Sequence, residues 1–162
     1  MSSTIICDTT VWLYLGRTQQ HSLLSSLYET IFVTEMVCLE LDVGRLTRPD
    51  TLDPRQLSWV TVVKVESEEI ANLPSNELGR GELSVIVSAR RHHLSIVGLD
   101  DLEARKFAKN LGLKIVGTPG ILIQAKKMGF LQAVRPVLEQ LKQSVFYISQ
   151  PLFDHILALV GE

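Results

Sequence analysis

Four acidic residues stand where a folded chain gains little from charge. Asp8 closes the apolar run Ile5-Ile6-Cys7, and Asp100 closes Ile96-Val97-Gly98-Leu99. Glu40 and Glu82 fall among the apolar residues of two segments with helical spacing. A carboxylate on the buried side of an element is costly unless it is paired or bound to a metal. Four of them brought to one place would raise one another's pKa values. A hard divalent cation, which prefers oxygen ligands, removes that repulsion. The chemistry such a set supports is metal-assisted hydrolysis of a phosphodiester.

Each acid also has a plainer explanation. In the segment 34–43, Met36, Val37, Leu39, Leu41 and Val43 read as one broad apolar face with Glu40 near its middle; Glu35 and Asp42 lie outside it. The alternative for Glu40 is a buried salt bridge or a place at the edge of that face. In the segment 82–93, Val85, Ile86 and Ala89 lie inward with Glu82, while Ser84, Ser88 and Arg91 read as the outer side. There the alternative is an acid favoured by the helix N-terminal dipole. Asp100-Asp101-Leu102-Glu103 resembles a capping box, so either Asp100 or Asp101 can be the ligand while the other caps. Asp8 can cap a helix starting near Thr10.

The elements that must position these residues alternate along the chain. Short, apolar, β-branched runs near 4–7, 30–33, 59–65, 95–99 and 114–116 read as strands covered on both faces. Helical patterns near 10–15, 21–28, 34–43, 67–72, 82–93 and 102–111 lie between them. This order predicts an α/β fold around a mainly parallel five-stranded sheet with right-handed crossovers. In such a sheet, residues just past the carboxyl ends of strands line the ligand crevice, and Asp8 and Asp100 are both so placed. Residues 44–58 read as a polar surface loop. Residues 73–81 read as a second, whose Gly79 and Gly81 permit unusual backbone angles before Glu82. From 118 the chain turns helical. Thr118 is read as an N-cap with Pro119 at the first helical position, and a stop falls at Gly129. Another helix covers 131–143 around Pro136, and Ser149 caps a last one with Leu152, Phe153, Ile156, Leu157 and Val160 on its apolar face.

Composition sets the outer bounds. A chain of 162 residues with 46% apolar content and a mean hydropathy of +0.19 fits one domain with a real core. No apolar run approaches the roughly 20 residues that span a bilayer. The N-terminus lacks a signal-peptide pattern, so the expectation is a cytoplasmic protein with no membrane contact. Cys7 and Cys38 read as buried free thiols, and the adjacent His92 and His93 diverge on a helix. A net charge of −2 is no footprint of broad nucleic-acid binding. Basic groups are nonetheless grouped: Arg105, Lys106 and Lys109 lie opposite Ala104, Phe107, Ala108 and Leu111, and Arg80 stands beside Glu82, within reach of a phosphate. A nucleotide-binding doubly wound domain lacks support, since neither Gly-x-Gly-x-x-Gly nor a phosphate loop ending in Gly-Lys-Ser/Thr is present.

Taken in order, Ile6-Cys7-Asp8-Thr9, Val33-Thr34-Glu35 to Glu40-Leu41, Gly79-Arg80-Gly81-Glu82 and Leu99-Asp100-Asp101 resemble the PIN-domain nucleases from end to end. Gly117-Thr118-Pro119-Gly120-Ile121-Leu122, Ala125-Lys126-Lys127-Met128-Gly129 and the tail 131–162 resemble a prokaryotic subgroup with a helical extension. The resemblance implies a three-layer α/β/α PIN-like domain over 1–162, with a nuclease core at 1–117 and extra C-terminal helices at 118–162 packed on it. It puts Asp8, Glu40, Glu82 and Asp100 (or Asp101) at the acidic positions that bind Mg²⁺ or Mn²⁺, with Thr9 supporting. Arg80, Arg105 and Lys106 would meet the substrate. It further implies RNA as substrate, a homodimer, and a toxin role with a small antitoxin partner. The chain departs from the pattern in carrying two aspartates after the fourth strand, and Ala104-Arg105 where an aromatic residue is common. The alternative reading is a PIN-like nucleic-acid- or protein-binding module with a vestigial site.

Overall fold

A computed structural model of the chain describes residues 3–73, 77–93, 96–144 and 146–162. Residues 74–76 of the expected second loop, and residue 95 of the expected fourth strand, lie outside the described residues.

Five strands form one sheet: β1 (Thr4–Cys7), β2 (Thr30–Thr34), β3 (Val60–Val63), β4 (Ile96–Gly98) and β5 (Lys114–Val116). Every pairing is parallel, and the spatial order is β3-β2-β1-β4-β5. β1 is thus central, with Ile6 level with Phe32 on one side and Val97 on the other. Ile5, Ile6 and Cys7 are fully buried, because a central parallel strand has a helical layer on each face. The chain winds outward from β1 to β3, then returns to the other side of β1 at β4. That reversal opens a crevice at the carboxyl ends of β1 and its neighbours. The ladders run past the strand ends: Asp8 N–H donates to Gly98 O at 2.9 Å, and Leu99 N–H to Val116 O at 2.9 Å.

The helices are α1 (Thr9–Arg17), α2 (Leu23–Leu27), α3 (Glu35–Thr47), α4 (Ser67–Ala71), α5 (Arg80–Arg91), α6 (Leu102–Asn110), α7 (Thr118–Lys127), α8 (Arg135–Gln143) and α9 (Gln150–Leu159). Ile121, Leu122, Leu138, Phe153 and Ile156 of the last three join the same buried apolar cluster as the strands. Ser149 caps α9 as expected, its hydroxyl accepting from Leu152 N–H. Gly129 follows α7 at φ +83°, a left-handed conformation that glycine takes without strain. Among the described residues, no helix is long and apolar enough to cross a membrane. Cys7 and Cys38 are buried free thiols.

Three expectations change. The apolar face of α3 is Val37, Cys38 and Leu41; Leu39 and Val43 are 60% and 67% exposed, and Glu40 is exposed at the rim. Residues two apart advance about 200° around a helix, so 37, 39, 41 and 43 cannot share one side. Ser84 and Ser88 are buried rather than outward. α5 packs on the sheet through β1, β2 and β4 and on α3 and α4, which leaves it covered nearly all round. Finally, α3 runs through Gly44 to Thr47, and a 3-10 turn at Pro54–Gln56 shortens the loop expected over 44–58. Arg45 closes what remains, donating to Thr51 O at 3.0 Å and Leu52 O at 3.1 Å while paired with Asp42. α8 starts at Arg135, with Pro136 in its first turn as expected for its main body, and residues 131–134 stay outside it.

Where β1 meets β4, a Cβ added at Gly98 would lie 2.8 Å from Cys7 Sγ. Overpacking of this kind costs about 1–3 kcal/mol. Gly98→Ala is therefore expected to lower the melting temperature by about 3–10 °C. In the double variant Cys7→Ala/Gly98→Ala the losses should sum to less than those of the single variants. Calorimetric melting of the four proteins checks this; strict additivity would show that the contact is not the cause.

Candidate functional site

Asp8 follows β1 and occupies the N-cap position of α1, yet its side chain makes no cap hydrogen bond. It is 3% exposed, and its Oδ1 is buried with no hydrogen-bond partner among the described residues. Burial pushes its carboxyl up to about 7. The Thr9 backbone N–H offsets part of that, and the fields of Glu82, Glu40 and Asp100 push it further. A capping carboxylate would be held down by helix N–H donors, so capping does not explain Asp8.

Asp100 stands at the matching place after β4. Both of its oxygens are taken by one residue: Thr118 N–H donates to Oδ1 at 2.7 Å, and the Thr118 hydroxyl to Oδ2 at 2.6 Å. Burial raises the Asp100 carboxyl, while those two bonds and the Arg105 charge draw it back. Asp101 is exposed and caps α6, its Oδ2 accepting from Ala104 N–H at 2.9 Å. The adjacent aspartates thus divide the two tasks that the sequence left open, Asp101 at the helix cap and Asp100 in the crevice.

Glu40 reaches the crevice from the rim of α3. Its Oε2 accepts from the Thr9 hydroxyl and its Oε1 from Gly81 N–H at 3.0 Å. Glu82 reaches back over the start of α5, where Oε1 accepts from Gly79 N–H at 3.0 Å. The plainer reading of Glu82, an acid at a helix N-terminus, is therefore realised. Even so, burial raises its carboxyl, with Asp101 and Glu40 adding to the rise. A buried hydroxyl pair sets the distance between the two helices. Thr34 Oγ1 caps α3 by accepting from Val37 N–H, and it lies 2.8 Å from Ser84 Oγ, which donates to Gly81 O.

The glycines do something other than supply unusual angles. Gly79 has φ −67° and ψ 159°, ordinary extended backbone. A Cβ at Gly81 would lie 2.5 Å from both Glu40 oxygens, so glycine is what lets that carboxylate reach the backbone N–H. Gly117 makes similar room, since a Cβ there would lie 2.8 Å from Arg105 Nη1 and 3.0 Å from Asp100 Oδ1.

The basic residues do not form the expected face. Arg105 leaves Lys106 and turns toward the crevice, Nη1 donating to Leu99 O at 2.9 Å. Lys106 pairs with Glu103 at 3.4 Å, and Arg80 Nη2 donates to the Ser67 hydroxyl at 3.1 Å. Thr118, expected to cap α7, is instead its first residue and holds Asp100. Sequence reasoning missed that role and the donor role of Gly81. The signal was present for Thr118, a hydroxyl just past the end of a strand, but a following proline made a cap the simpler reading.

Among the described residues, no three His, Cys, Asp or Glu side chains stand close enough to hold one ion between them. The donor chemistry nonetheless fits a hard divalent cation: carboxylates alone, one with a desolvated and unpartnered oxygen, and three raised by burial. Raising Asp8 also makes a statement about stability. Unfolded, the group titrates near 3.8; folded, near about 7. The stabilisation it gives is complete below the lower value and is lost as pH rises through the upper one, on the order of 4 kcal/mol in all. Between pH 5 and pH 8 about 2–3 kcal/mol of this is lost, so metal-free protein is expected to melt about 5–10 °C lower at pH 8 than at pH 5, and Asp8→Asn to flatten most of that slope. Thermal melts across this pH range decide it; parallel slopes for the two proteins would place the cost elsewhere.

A family model described as PIN domain matches residues 4–162. No curated protein matches the sequence. PIN domains are generally nucleases, and those nucleases typically use divalent metal ions. Since the match runs from the first residue of β1 to the end of the chain, over an all-parallel sheet flanked by helices as in that fold, this chain belongs to the PIN-domain family.

Proposed function

We propose that this chain is a metal-dependent endoribonuclease that hydrolyses RNA phosphodiester bonds. One observation carries the reading: a nearly solvent-free carboxylate, Asp8, with an unpartnered oxygen in the field of three further acids. Nothing in the core needs that charge, and an oxygen-seeking ion accounts for it. Mg²⁺ or Mn²⁺ bound there would neutralise the scissile phosphate and make a water more acidic. Asp8 and Asp100 hold the ion in this reading, with Glu40 and Glu82 completing the shell directly or through water. Thr118 fixes the orientation of Asp100, and Thr9 with Gly81 N–H fixes Glu40. Such supporting bonds orient ligands and tune them. Arg105 offers its charge beside Asp100, and Arg80 and Lys106 would meet the substrate only on leaving Ser67 and Glu103.

The same reading treats 1–162 as one PIN-like unit, with 1–117 as nuclease core and 118–162 as a helical extension. It takes the protein as a cytoplasmic toxin blocked by a small antitoxin, and as a homodimer. The exposed Leu39, Val43 and Leu46 along α3, with Val62 next to Leu39, support self-association.

A second reading has its own observation. Glu40 and Glu82 are satisfied by backbone N–H groups, and no preformed three-ligand cluster exists among the described residues. A vestigial site serving a binding module would look the same.

Wild type with Mn²⁺ or Mg²⁺ is expected to cut single-stranded RNA and to stop when EDTA is added. Asp8→Asn should fall to background while keeping its far-ultraviolet circular dichroism. Gly81→Ala should cut about 10- to 100-fold more slowly, because the Cβ displaces Glu40. Gel assays on a labelled RNA measure all three. Calorimetric titration separates the two readings: Mn²⁺ binding that depends on Asp8 and Glu82 supports the enzyme, and heat-silent titrations with no RNA cut leave only the binding module.

A further inference from the structure

A groove of about 510 Å³ opens from the crevice on the side of β5. Its crevice end is Asp100 and Arg105, its floor includes Val116, Gly117 and Gly120, and its far wall belongs to α9 and the segment before it. Gly117 and the first residues of α7, Thr118-Pro119-Gly120, connect the two. Thr118 holds both Asp100 oxygens, and Gly117 leaves room for the Arg105 and Asp100 side chains on either side of it. At Gly120 a Cβ would lie 2.9 Å from a Val116 methyl, so the floor stays flat only with glycine. The groove is mostly apolar, and its rim carries Tyr147, 89% exposed, with Leu152 and His155.

We propose that this groove binds a nucleobase of the RNA strand next to the scissile phosphate, with Tyr147 as its stacking platform. The proposal rests on the nuclease reading for the register of the strand. Three features favour a base over a peptide. The groove is continuous with the carboxylate crevice through Asp100 and Arg105, so a strand lying across one enters the other. Arg105 brings a cation to the junction, where the backbone of that nucleotide would pass. An apolar slot with an aromatic ring standing free at its edge suits a flat ring with polar edges, and stacking of this kind tolerates any base. Most of the residues that line the slot come from Gly117 onward, which gives that part of the chain a role in holding substrate.

The test uses full-length Asp8→Asn protein with Mg²⁺, so that binding is read without cleavage. Fluorescence anisotropy is measured with a labelled oligoribonucleotide, intact and with a single abasic site moved along it. One abasic position is expected to weaken binding about 5- to 100-fold. Tyr147→Ala should remove that difference, and Leu152→Glu should weaken the intact strand. Binding that ignores the abasic position, or that is unchanged by both variants, overturns the proposal. So does a result in which the variants leave RNA binding intact but split a dimer in sedimentation, which would make the groove a protein interface. Cleavage by the Asp8 protein is scored separately. Base-dependent binding without cleavage keeps the groove and removes the nuclease reading; cleavage without base dependence does the reverse.

Discussion

The carboxylate of Asp8 has been taken out of water and given no ion-pair partner among the described residues, and much of the architecture around it can be understood as keeping it there. The carboxylate follows the central strand of a sheet covered on both faces, so water reaches it from the crevice mouth alone. Its backbone is pinned by the bond to Gly98 O, which extends the β1–β4 ladder by one residue. Nothing offers its Oδ1 a hydrogen bond among the described residues. A buried polar atom left in that state costs roughly 1–3 kcal/mol even before its charge is counted. Chains do not keep such an atom for stability, and strain of this kind concentrates at sites that bind or react.

The neighbours of Asp8 are treated in the opposite way. Each of the other acids is held by short-range donors from a strand end or a helix start. Asp100 has Thr118 after β5, and Glu40 has Thr9 after β1 and Gly81 at the start of α5. Thr34, after β2, bonds Ser84 and so sets how far α3 stands from α5. The carboxyl edge of the sheet is thus a row of hydroxyls and backbone N–H groups that orient carboxylates. Orientation matters because two like charges near each other swing apart unless they are tied. With Glu40 and Asp100 tied and Asp8 untied, the open valence of the site points at one oxygen.

Much of this was legible in the sequence, for physical reasons that differ by residue. The strands were most readable at the centre of the sheet, because a buried parallel strand is apolar along its length, as Ile5-Ile6-Cys7 and Ile96-Val97 are; β3, at the edge, exposes Thr61 and Val62. Asp8 and Asp100 were readable because an acid directly after such a run is a break in kind. Glu40 was read as buried with an apolar face, whereas Leu39 and Val43 are outward and its carboxylate is tied by the contact with Gly81 and Thr9. That contact joins residues far apart in the chain, and no local pattern announces it. Arg105 was misplaced for a related reason. Helical geometry puts it near Lys106, but a long side chain can leave its face, and the Leu99 carbonyl draws it to the crevice. The split between Asp100 and Asp101 was undecidable from sequence, because both satisfy the rules for a cap and the deciding donor, Thr118, comes from the next strand end.

Thr118 also bears on how the C-terminal helices should be understood. Composition changes at 118, where strands give way to helices, and a boundary there is natural to draw. The side chain that orients Asp100 nonetheless belongs to the first residue beyond that boundary. Removing the segment would take both Thr118 donors from Asp100 and would uncover the parts of α1 and α2 on which α7 packs, with the fully buried Ile121 and Leu122 lost from the core. The field on Asp8 would change with it, since Asp100 is one of the charges that raise Asp8. A segment that tunes an acid at one end and walls a groove at the other cannot be exchanged for an arbitrary cover of the same hydrophobicity.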